Sequence, residues 1–147
     1  MPIQFKIKSF NDLSVYELYE ILQLRSEVFV VEQNCVYQDI DNKDQKALHL
    51  IGAINGKIIA YSRLFSAGDY FDLASVGRVV IAADYRDKKW GHLLVQEAIL
   101  AIKTHFGFTK IKISAQLYLK KFYETNGFVA TSEVYLEDNI EHLEMVR

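Results

Sequence analysis

The sequence predicts a mixed α/β fold, in which one sheet of about seven strands carries helices on both faces. Runs with an apolar residue at every second position alternate with segments of helical periodicity. The order of these segments is strand, helix, three strands, helix, strand, helix and two strands. Half of the 147 residues are apolar and only one is proline, which is enough for a sizeable core. We therefore expect one domain over residues 1–147.

The N-terminal segment contains a strand followed by a long helix. Residues 3–7 alternate apolar and polar side chains, as in a strand with one buried face. Ser14 and Glu17 have the spacing of a capping box, in which each side chain binds a backbone amide at a helix start. Apolar residues recur on related turns beyond them, so the helix is expected to run to about Glu32. Residues 34–46 are polar and aperiodic, which indicates a loop or a loop with a short helix.

The middle of the chain predicts a β-hairpin and a third strand after it. Residues 48–54 and 57–65 are strand-like and flank Asn55 and Gly56. This pair most readily takes the positive φ angles of a type I′ turn, which joins two antiparallel strands. Residues 75–81 then predict a partly buried strand.

The last third of the chain alternates helices and strands. Residues 91–106 place apolar side chains on two adjacent rows of a helix, and Gly107 stands where that helix should end. The remaining expected elements are a strand at 110–114, a helix at 117–126 before Gly127, and strands at 129–136 and 142–147 around a turn at 137–140.

Composition and charge exclude several classes of function. The net charge of about −2 has both signs interspersed, so no basic field is available for nucleic acid. No run approaches the roughly 18 apolar residues of a membrane span, and the first residues contain no apolar signal core. Cys35 is the single cysteine, so no intrachain disulfide can form and a cytoplasmic location is expected. No metal site is expected. The oligomeric state stays open, with a homodimer as one option.

The most informative stretch is residues 79–94, where a strand leads through a short basic loop into a helix. Unpaired amides and the positive end of the helix dipole make such a corner a site for phosphate. Arg86, Lys88 and Lys89 add positive charge, and Gly91 would let an anion approach the backbone. An ordinary solvated turn is the alternative. Neither the P-loop pattern nor the dinucleotide fingerprint is present.

This corner resembles the acetyl-CoA diphosphate loop of the GNAT superfamily, with Arg86 at its first position and Gly91 at its last. Lys89 replaces the usual first glycine, so its side chain must point away from the diphosphate while its amide can still donate. The resemblance covers the whole chain and is closer to the ElaA-type branch. It is carried by residues 24–37, 77–80, 122–128 and 134–142.

The resemblance implies a mostly antiparallel sheet splayed in the middle, with acetyl-CoA bound in the splay as cosubstrate. An amine would attack the thioester directly, in a ternary complex. The expected CoA-binding residues are Val79, Val80, Ile81, Arg86, Asp87, Lys88, Lys89, Trp90, Gly91, His92, Leu93, Ser114, Gln116 and Tyr123. Tyr123 matches the family's general acid, whose hydroxyl faces the sulfur. Without the resemblance, it would be taken as a packing residue beside Phe122.

The general base is less clearly marked, because the strand that carries a glutamate in many GNAT proteins has Gly77 and Arg78 here. Glu32 is our choice among several candidates, the others being His49, Glu137, Asp138 and His142. His49 is more typical of a structural histidine, and Cys35 has no neighbouring histidine that would make it a nucleophile.

The acceptor is expected to be a primary amine of a small molecule or peptide. Residues 32–44 and the turn at 137–138 are acidic, which favours a cationic amine. Arg63 and Arg78 could hold a substrate carboxylate, or pair with Glu32, Asp39 or Asp41. The expected acceptor-binding residues are Gln33, Tyr37, Arg78, Glu137 and His142.

Two rival functions remain open. One is a non-catalytic module that senses acyl-CoA, which Lys89 and the missing strand carboxylate favour. The other is a purely structural or interaction domain. CoA release with a panel of amines, and stabilisation by acetyl-CoA, distinguish these from an enzyme.

Overall fold

The computed structural model describes residues 2–147, and its strands form one eight-stranded sheet. The strands are β1 Gln4–Ser9, β2 Leu48–Ile54, β3 Lys57–Phe65, β4 Ala74–Ile81, β5 Ile111–Gln116, β6 Val129–Ala130, β7 Tyr135–Glu137 and β8 Ile140–Val146. Their order across the sheet is β1-β2-β3-β4-β5-β8-β6, and β7 also pairs with β8. Only β4 and β5 pair in parallel within the described residues. The predicted mixed, mostly antiparallel sheet is therefore confirmed. Its eighth strand arises because the run predicted at 129–136 is divided into β6 and β7.

Three α-helices accompany the sheet: α1 Val15–Arg25, α2 Trp90–Phe106 and α3 Lys120–Thr125. The predicted capping box starts α1, since Ser14 Oγ accepts from the Glu17 amide at 3.0 Å and Glu17 Oε1 accepts from the Ser14 amide at 2.9 Å. The helix continues to Glu32 as predicted, but its last part, Ser26–Glu32, is π-helical. The helix expected at 117–126 is shorter, because a 3₁₀ turn, Leu117–Leu119, precedes α3.

The helices cover the sheet unevenly. α1 and α2 both pack on β3 and β4, but they contribute to separate buried clusters. Leu50 packs with α2 and its neighbour Ile51 with α1, and successive strand residues point to opposite faces. The two helices therefore cover opposite faces of the sheet, as predicted. On its face of the sheet, α1 packs on β3 and β4. The part of this face that β5, β7 and β8 form carries polar side chains.

Two tight turns fix the registers of the hairpins. Asn55 and Gly56 have φ angles of 50° and 80°, as the predicted type I′ turn requires. Asp138 and Asn139, at 50° and 64°, repeat this arrangement between β7 and β8, where Glu137 pairs with Ile140. The second turn lies where the sequence predicted it and brings Glu137 back toward β8.

Candidate active site

The candidate site is a cleft that opens where β4 and β5 separate. The two strands pair only at Ala74 with Ile111 and Ser75 with Lys112, and they diverge beyond these residues. The resulting cleft has a volume of about 600 Å³. It extends from the end of α1 to the start of α2 and the polar face of β8. Its size suits a small organic ligand.

A β-bulge in β4 contributes to this separation. Tyr61 pairs with Val80 and Arg63 pairs with Gly77, so Arg78 and Val79 together face the single residue Ser62. Arg78 has a φ angle of 49°, a left-handed conformation that is uncommon in a strand. A bulge bends its strand and leaves backbone groups outside the ladder. Backbone polar groups of β4 are thereby made available along the cleft.

The basic corner leads into α2 at one end of the cleft. Residues 83–88 form a 3₁₀ segment, and Lys89 precedes the helix with a φ angle of 59°. This left-handed conformation suits a glycine, which explains the glycine that GNAT sequences have at this position. The amides of the first turn of α2 have no partners inside the helix, so they are available to an anion.

Most of the predicted CoA-binding residues line the cleft, but four do not. The lining ones are Val79, Val80, Ile81, Arg86, Lys89, Gly91, His92, Ser114, Gln116 and Tyr123. The others are Asp87, Lys88, Trp90 and Leu93. Trp90 stacks on Tyr85, with ring centroids 6.1 Å apart, so its side chain does not plug the corner.

Gly91 has a packing role that the sequence did not reveal. A Cβ atom on Gly91 would meet the Phe122 ring at 3.3 Å, which is tighter than an ordinary contact. We expected this glycine to admit an anion, but the space it leaves faces Phe122 of α3. The glycine therefore allows the start of α2 and the helix that carries Tyr123 to approach closely.

Tyr123 packs in the core and also lines the cleft. Its ring is 7% exposed and packs edge-on against Phe122 and Phe128, with centroids 5.1 and 5.7 Å away. Its hydroxyl has no hydrogen-bond partner within residues 2–147, yet it is not sealed in the core, because the side chain lines the cleft. Burial raises the pKa of this hydroxyl well above its ordinary value, so the group stays protonated.

Glu32 is not a free carboxylate. Its two oxygens accept from Arg86 Nη1 at 2.6 Å and Nη2 at 3.1 Å, and Arg86 Nε donates to the Ile81 carbonyl at 3.0 Å. The pair is solvent-accessible, with both side chains about 40% exposed. Glu32, the predicted base, and Arg86, which was predicted to bind the diphosphate, therefore form an ion pair with each other.

Polar side chains from β5, β7 and β8 form the opposite wall of the cleft. His142 pairs in register with Gln116 on β5 and with Tyr135 on β7, which places the three side chains on one face. Ser114 Oγ contacts the Tyr135 hydroxyl at 2.5 Å and donates to Glu137 Oε1 at 3.0 Å. The other Glu137 oxygen lies 3.5 Å from His142 Nε2. Gln116 exchanges amide hydrogen bonds with Gln33 at the end of the helix, at 3.3 and 3.4 Å.

Arg78 belongs to a buried ionic network beside the cleft. The network joins Arg25, Arg63 and Arg78 to Asp39, Asp41 and Asp44. Arg78 Nε donates to Asp39 Oδ1 at 2.7 Å, and Tyr37 donates to the same oxygen at 3.2 Å. Three guanidinium groups face three carboxylates, so the network balances its own charge. Of the two roles considered for Arg63 and Arg78, pairing with aspartates is the one observed, which holds the loop of residues 34–46 on the sheet.

His49 and Cys35 have structural surroundings. Both ring nitrogens of His49 are engaged, one with the Tyr61 hydroxyl at 2.6 Å and one with the Asp44 carbonyl at 2.9 Å. Burial lowers the pKa of His49 below its ordinary value, so the ring is neutral. Cys35 is buried and its thiol contacts the Asp138 carbonyl at 3.3 Å. The structural interpretation of His49 is confirmed.

The fold agrees with comparisons to known proteins. The family described as Acetyltransferase (GNAT) domain matches residues 11–147. The chain is 39% identical to Protein ElaA of Escherichia coli over 139 residues, 93% of this chain and 91% of the relative. It is 41% identical to a UPF0039 protein of Schizosaccharomyces pombe over 97% of this chain and 95% of that one. A crystal structure of an acyl-CoA N-acyltransferase from Pseudomonas aeruginosa superposes with a TM-score of 0.93 at 40% identity, with 99% of each chain covered.

The chain has the fold of a GNAT acyltransferase, and its cleft lies between the diverging strands β4 and β5. It belongs to the GNAT acetyltransferase family, and the E. coli protein ElaA is one of its homologues. No helix within residues 2–147 is both long and apolar enough to cross a membrane.

Two residues that contact the cleft walls were not among the predicted site residues. Tyr135 was predicted to lie in a strand and in a segment that carries the resemblance, but not in the site; it alternates with Glu137 and therefore points to the same face. Asn126 donates to His92 Nδ1 at 3.0 Å and to the Phe122 carbonyl at 2.9 Å. That carbonyl fixes the orientation of the Asn126 amide, so His92 Nδ1 is the acceptor and its Nε2 carries the proton in the neutral ring. Periodicity could have indicated Tyr135, whereas the contact between Asn126 and His92 depends on the packing of two helices.

Proposed function

We propose that this protein transfers an acetyl group from acetyl-CoA to a primary amine of a small molecule or peptide, by direct attack in a ternary complex. The observation that carries the proposal is the cleft itself. The cleft runs from the gap between β4 and β5 to the first turn of α2, and Tyr123 is one of its lining residues. A thioester held along β4 would have its diphosphate at the helix start and its sulfur near a proton donor.

The chain offers CoA three kinds of contact. The amides of the first turn of α2, together with Arg86 and Lys89, would hold the diphosphate. The bulged part of β4, residues 77–80, would give backbone hydrogen bonds to the pantetheine arm and to the thioester oxygen. Phe122 and Leu119 line the cleft and would pack against the apolar parts of the cosubstrate.

Tyr123 is the proposed general acid. When CoA leaves as a thiolate, the buried phenol can donate its proton to the sulfur and later regain one from solvent. The raised pKa suits a donor that must stay protonated until the sulfur becomes basic. From the sequence, Glu32 was proposed as the base, but its pairing with Arg86 favours another group, which is considered below.

The acceptor end of the cleft favours a cationic amine. Glu137 and Asp138 line it, together with the uncharged groups of Gln33 and Tyr37. The nearby guanidinium groups are already paired with aspartates, so no free cation there would attract a carboxylate. An ammonium group would be drawn to this wall by the carboxylate of Glu137. A cytoplasmic location, with no metal required, fits this function.

CoA release with a panel of primary amines tests the proposal. We expect turnover that needs both acetyl-CoA and an amine, and a loss of about 10- to 1,000-fold in kcat for Tyr123→Phe with little change in the KM for acetyl-CoA. Tyr118→Phe, which changes an exposed tyrosine at the cleft rim, is the matched control. Tight binding of acetyl-CoA without turnover, unaffected by Tyr123→Phe, would instead identify a non-catalytic sensor.

A further inference from the structure

We infer that His142, assisted by Glu137, is the general base that removes the proton from the attacking amine. The inference rests on the proposed function and names the group that prepares its acceptor. Its basis is the position of His142 on β8. His142 pairs with Gln116, which lies at the end of β5 where this strand has separated from β4. The imidazole therefore lies at the open end of the cleft, among the residues that line it.

The hydrogen bonds of His142 fix the tautomer that a base requires. Its Nδ1 lies 2.7 Å from the Ile140 carbonyl oxygen. A carbonyl can only accept, so Nδ1 must carry a proton. In the neutral ring Nε2 is then the atom with the free lone pair. This is the atom that can take a proton from a bound ammonium group.

The surroundings of Nε2 suit the cation that forms after proton transfer. Glu137 Oε2 lies 3.5 Å from Nε2, close enough to stabilise an imidazolium ion. Glu137 is itself held through Oε1 by Ser114 at 3.0 Å. The Tyr135 ring stacks on the imidazole, with centroids 6.3 Å apart and planes at 21°. The arrangement of backbone carbonyl, imidazole and carboxylate is thus supported from β5, β7 and β8.

The other candidate bases are less suited. Both oxygens of Glu32 accept from Arg86. Both nitrogens of His49 are bonded inside the core, where the residue is 1% exposed. Asp138 sits in the type I′ turn with an exposed side chain. Among these candidates, His142 alone combines a free lone pair, a place in the cleft wall and a carboxylate partner.

The proton balance of the reaction can be written with these groups. The ammonium ion gives one proton to His142 Nε2, and the neutral amine then attacks the thioester carbonyl. The new C–N bond forms, the C–S bond breaks and the sulfur takes a proton from Tyr123. The nitrogen loses its second proton as the amide forms, and that proton restores Tyr123 through solvent. His142 releases its proton to solvent, so the net reaction frees one proton.

His142→Asn tests the assignment with little risk to the fold, because the asparagine amide can still donate to the Ile140 carbonyl. Two acceptor probes separate the base from a structural role. Ethylamine is protonated near neutral pH, whereas 2,2,2-trifluoroethylamine is mostly neutral and needs no base. We expect His142→Asn to lower kcat/KM about 100-fold or more for ethylamine and less than about 10-fold for trifluoroethylamine. His105→Asn, an exposed histidine at the end of α2, should match the wild type with both amines.

Equal losses of kcat/KM with both amines would overturn the assignment. It would also be overturned if Glu32→Gln lowered kcat/KM more for ethylamine than for trifluoroethylamine while His142→Asn did not. The tautomer gives a readout that does not depend on turnover. In ¹⁵N-histidine NMR spectra of the wild-type protein, we expect the neutral form of His142 to carry its proton on Nδ1 and none on Nε2. The opposite tautomer would contradict the inference. Failure of the wild type to release CoA with any amine would instead overturn the proposed function, whatever the tautomer.

Discussion

Arg86 and Glu32 form a bidentate ion pair that links the basic corner before α2 to the end of the N-terminal helix. The Arg86 guanidinium donates to the two Glu32 oxygens at 2.6 and 3.1 Å. The same arginine stands at the first position of the diphosphate loop that the resemblance implies. A diphosphate that enters the corner must therefore share this guanidinium with Glu32, or displace it.

Glu32→Gln should strengthen CoA binding. The substitution removes a negative charge near the diphosphate and frees Arg86 from its competing partner. Because the pair is exposed, the effect should be about twofold to fivefold in Kd, and smaller at high salt. Titration calorimetry with CoA measures it. Glu27→Gln changes an exposed glutamate of the same π-helical segment, outside the cleft, and should leave Kd unchanged. Weaker binding by Glu32→Gln would show that the pair supports the site.

Asp44→Asn should destabilise the fold strongly. Asp44 is buried and accepts from Arg25 at 2.8 Å and from Arg63 at 3.0 Å. Without this negative charge, the buried guanidinium groups of Arg25 and Arg63 have too few carboxylates to balance their positive charge. We therefore expect the free energy of unfolding to fall by about 3 kcal/mol. Urea denaturation measures the change. Asp72→Asn, in an exposed pair with Lys112, should leave the urea midpoint almost unchanged. Similar midpoints for the two variants would contradict the structural role of the network.

Acid should destabilise the protein through Glu17 and Asp41. Burial raises the pKa of each carboxyl, but hydrogen bonds outweigh it and lower both values to about 2. For Glu17 the donors are Lys6, Lys8 and the Ser14 amide, and for Asp41 the main donor is Arg63. The folded protein therefore binds fewer protons than the unfolded chain between about pH 5 and pH 2. The stabilisation is complete above this range and is lost as the pH falls through it.

Glu17→Gln isolates one part of this pH dependence. At pH 7 the variant should lose about 1 kcal/mol of unfolding free energy, since the lysine partners are partly exposed and salt screens them. The difference from the wild type should shrink as the pH falls from about 5 to about 2. Urea denaturation across this range measures it, and Glu124→Gln on the exposed side of α3 is the control. A difference that is constant with pH would contradict the lowered pKa of Glu17.

Lys89→Gly should be tolerated or slightly stabilising. Lys89 has a φ angle of 59°, which a side chain disfavours by about 1–2 kcal/mol, whereas ordering a glycine on folding costs about 0.5–1 kcal/mol more than ordering an alanine. The net gain in unfolding free energy should be about 0.5 kcal/mol. Lys88→Gly, one residue earlier in the 3₁₀ segment, lacks this strain and should destabilise. Thermal denaturation compares the two variants. A marked loss for Lys89→Gly would show that its side chain stabilises the corner.

Much of the fold could be predicted from the sequence because its signals are local. The capping box of Ser14 and Glu17 and the type I′ turn at Asn55 and Gly56 depend on residues that are adjacent in the chain. The π-helical geometry of Ser26–Glu32 has no comparable local signature. The division of the strand expected at 129–136 follows from pairing with β8, which local patterns do not specify.

The candidate site was predicted less completely, because its chemistry depends on contacts between distant segments. Arg86 and Glu32 are 54 positions apart, and nothing local indicates that they pair. The bulge at Arg78 and the tautomer of His142 are likewise set by neighbouring strands and by a backbone carbonyl. The position of Tyr123 on a helix beside the splay came from the family resemblance.

The most direct test of the account is a calorimetric comparison of acetyl-CoA with S-acetylpantetheine, which lacks the diphosphate and the nucleotide. If the start of α2 and Arg86 hold the diphosphate, acetyl-CoA should bind with one-to-one stoichiometry and at least about 100-fold more tightly than the shorter thioester. Equal affinities, or no binding of acetyl-CoA at millimolar concentration, would contradict the assignment of this cleft as an acyl-CoA site.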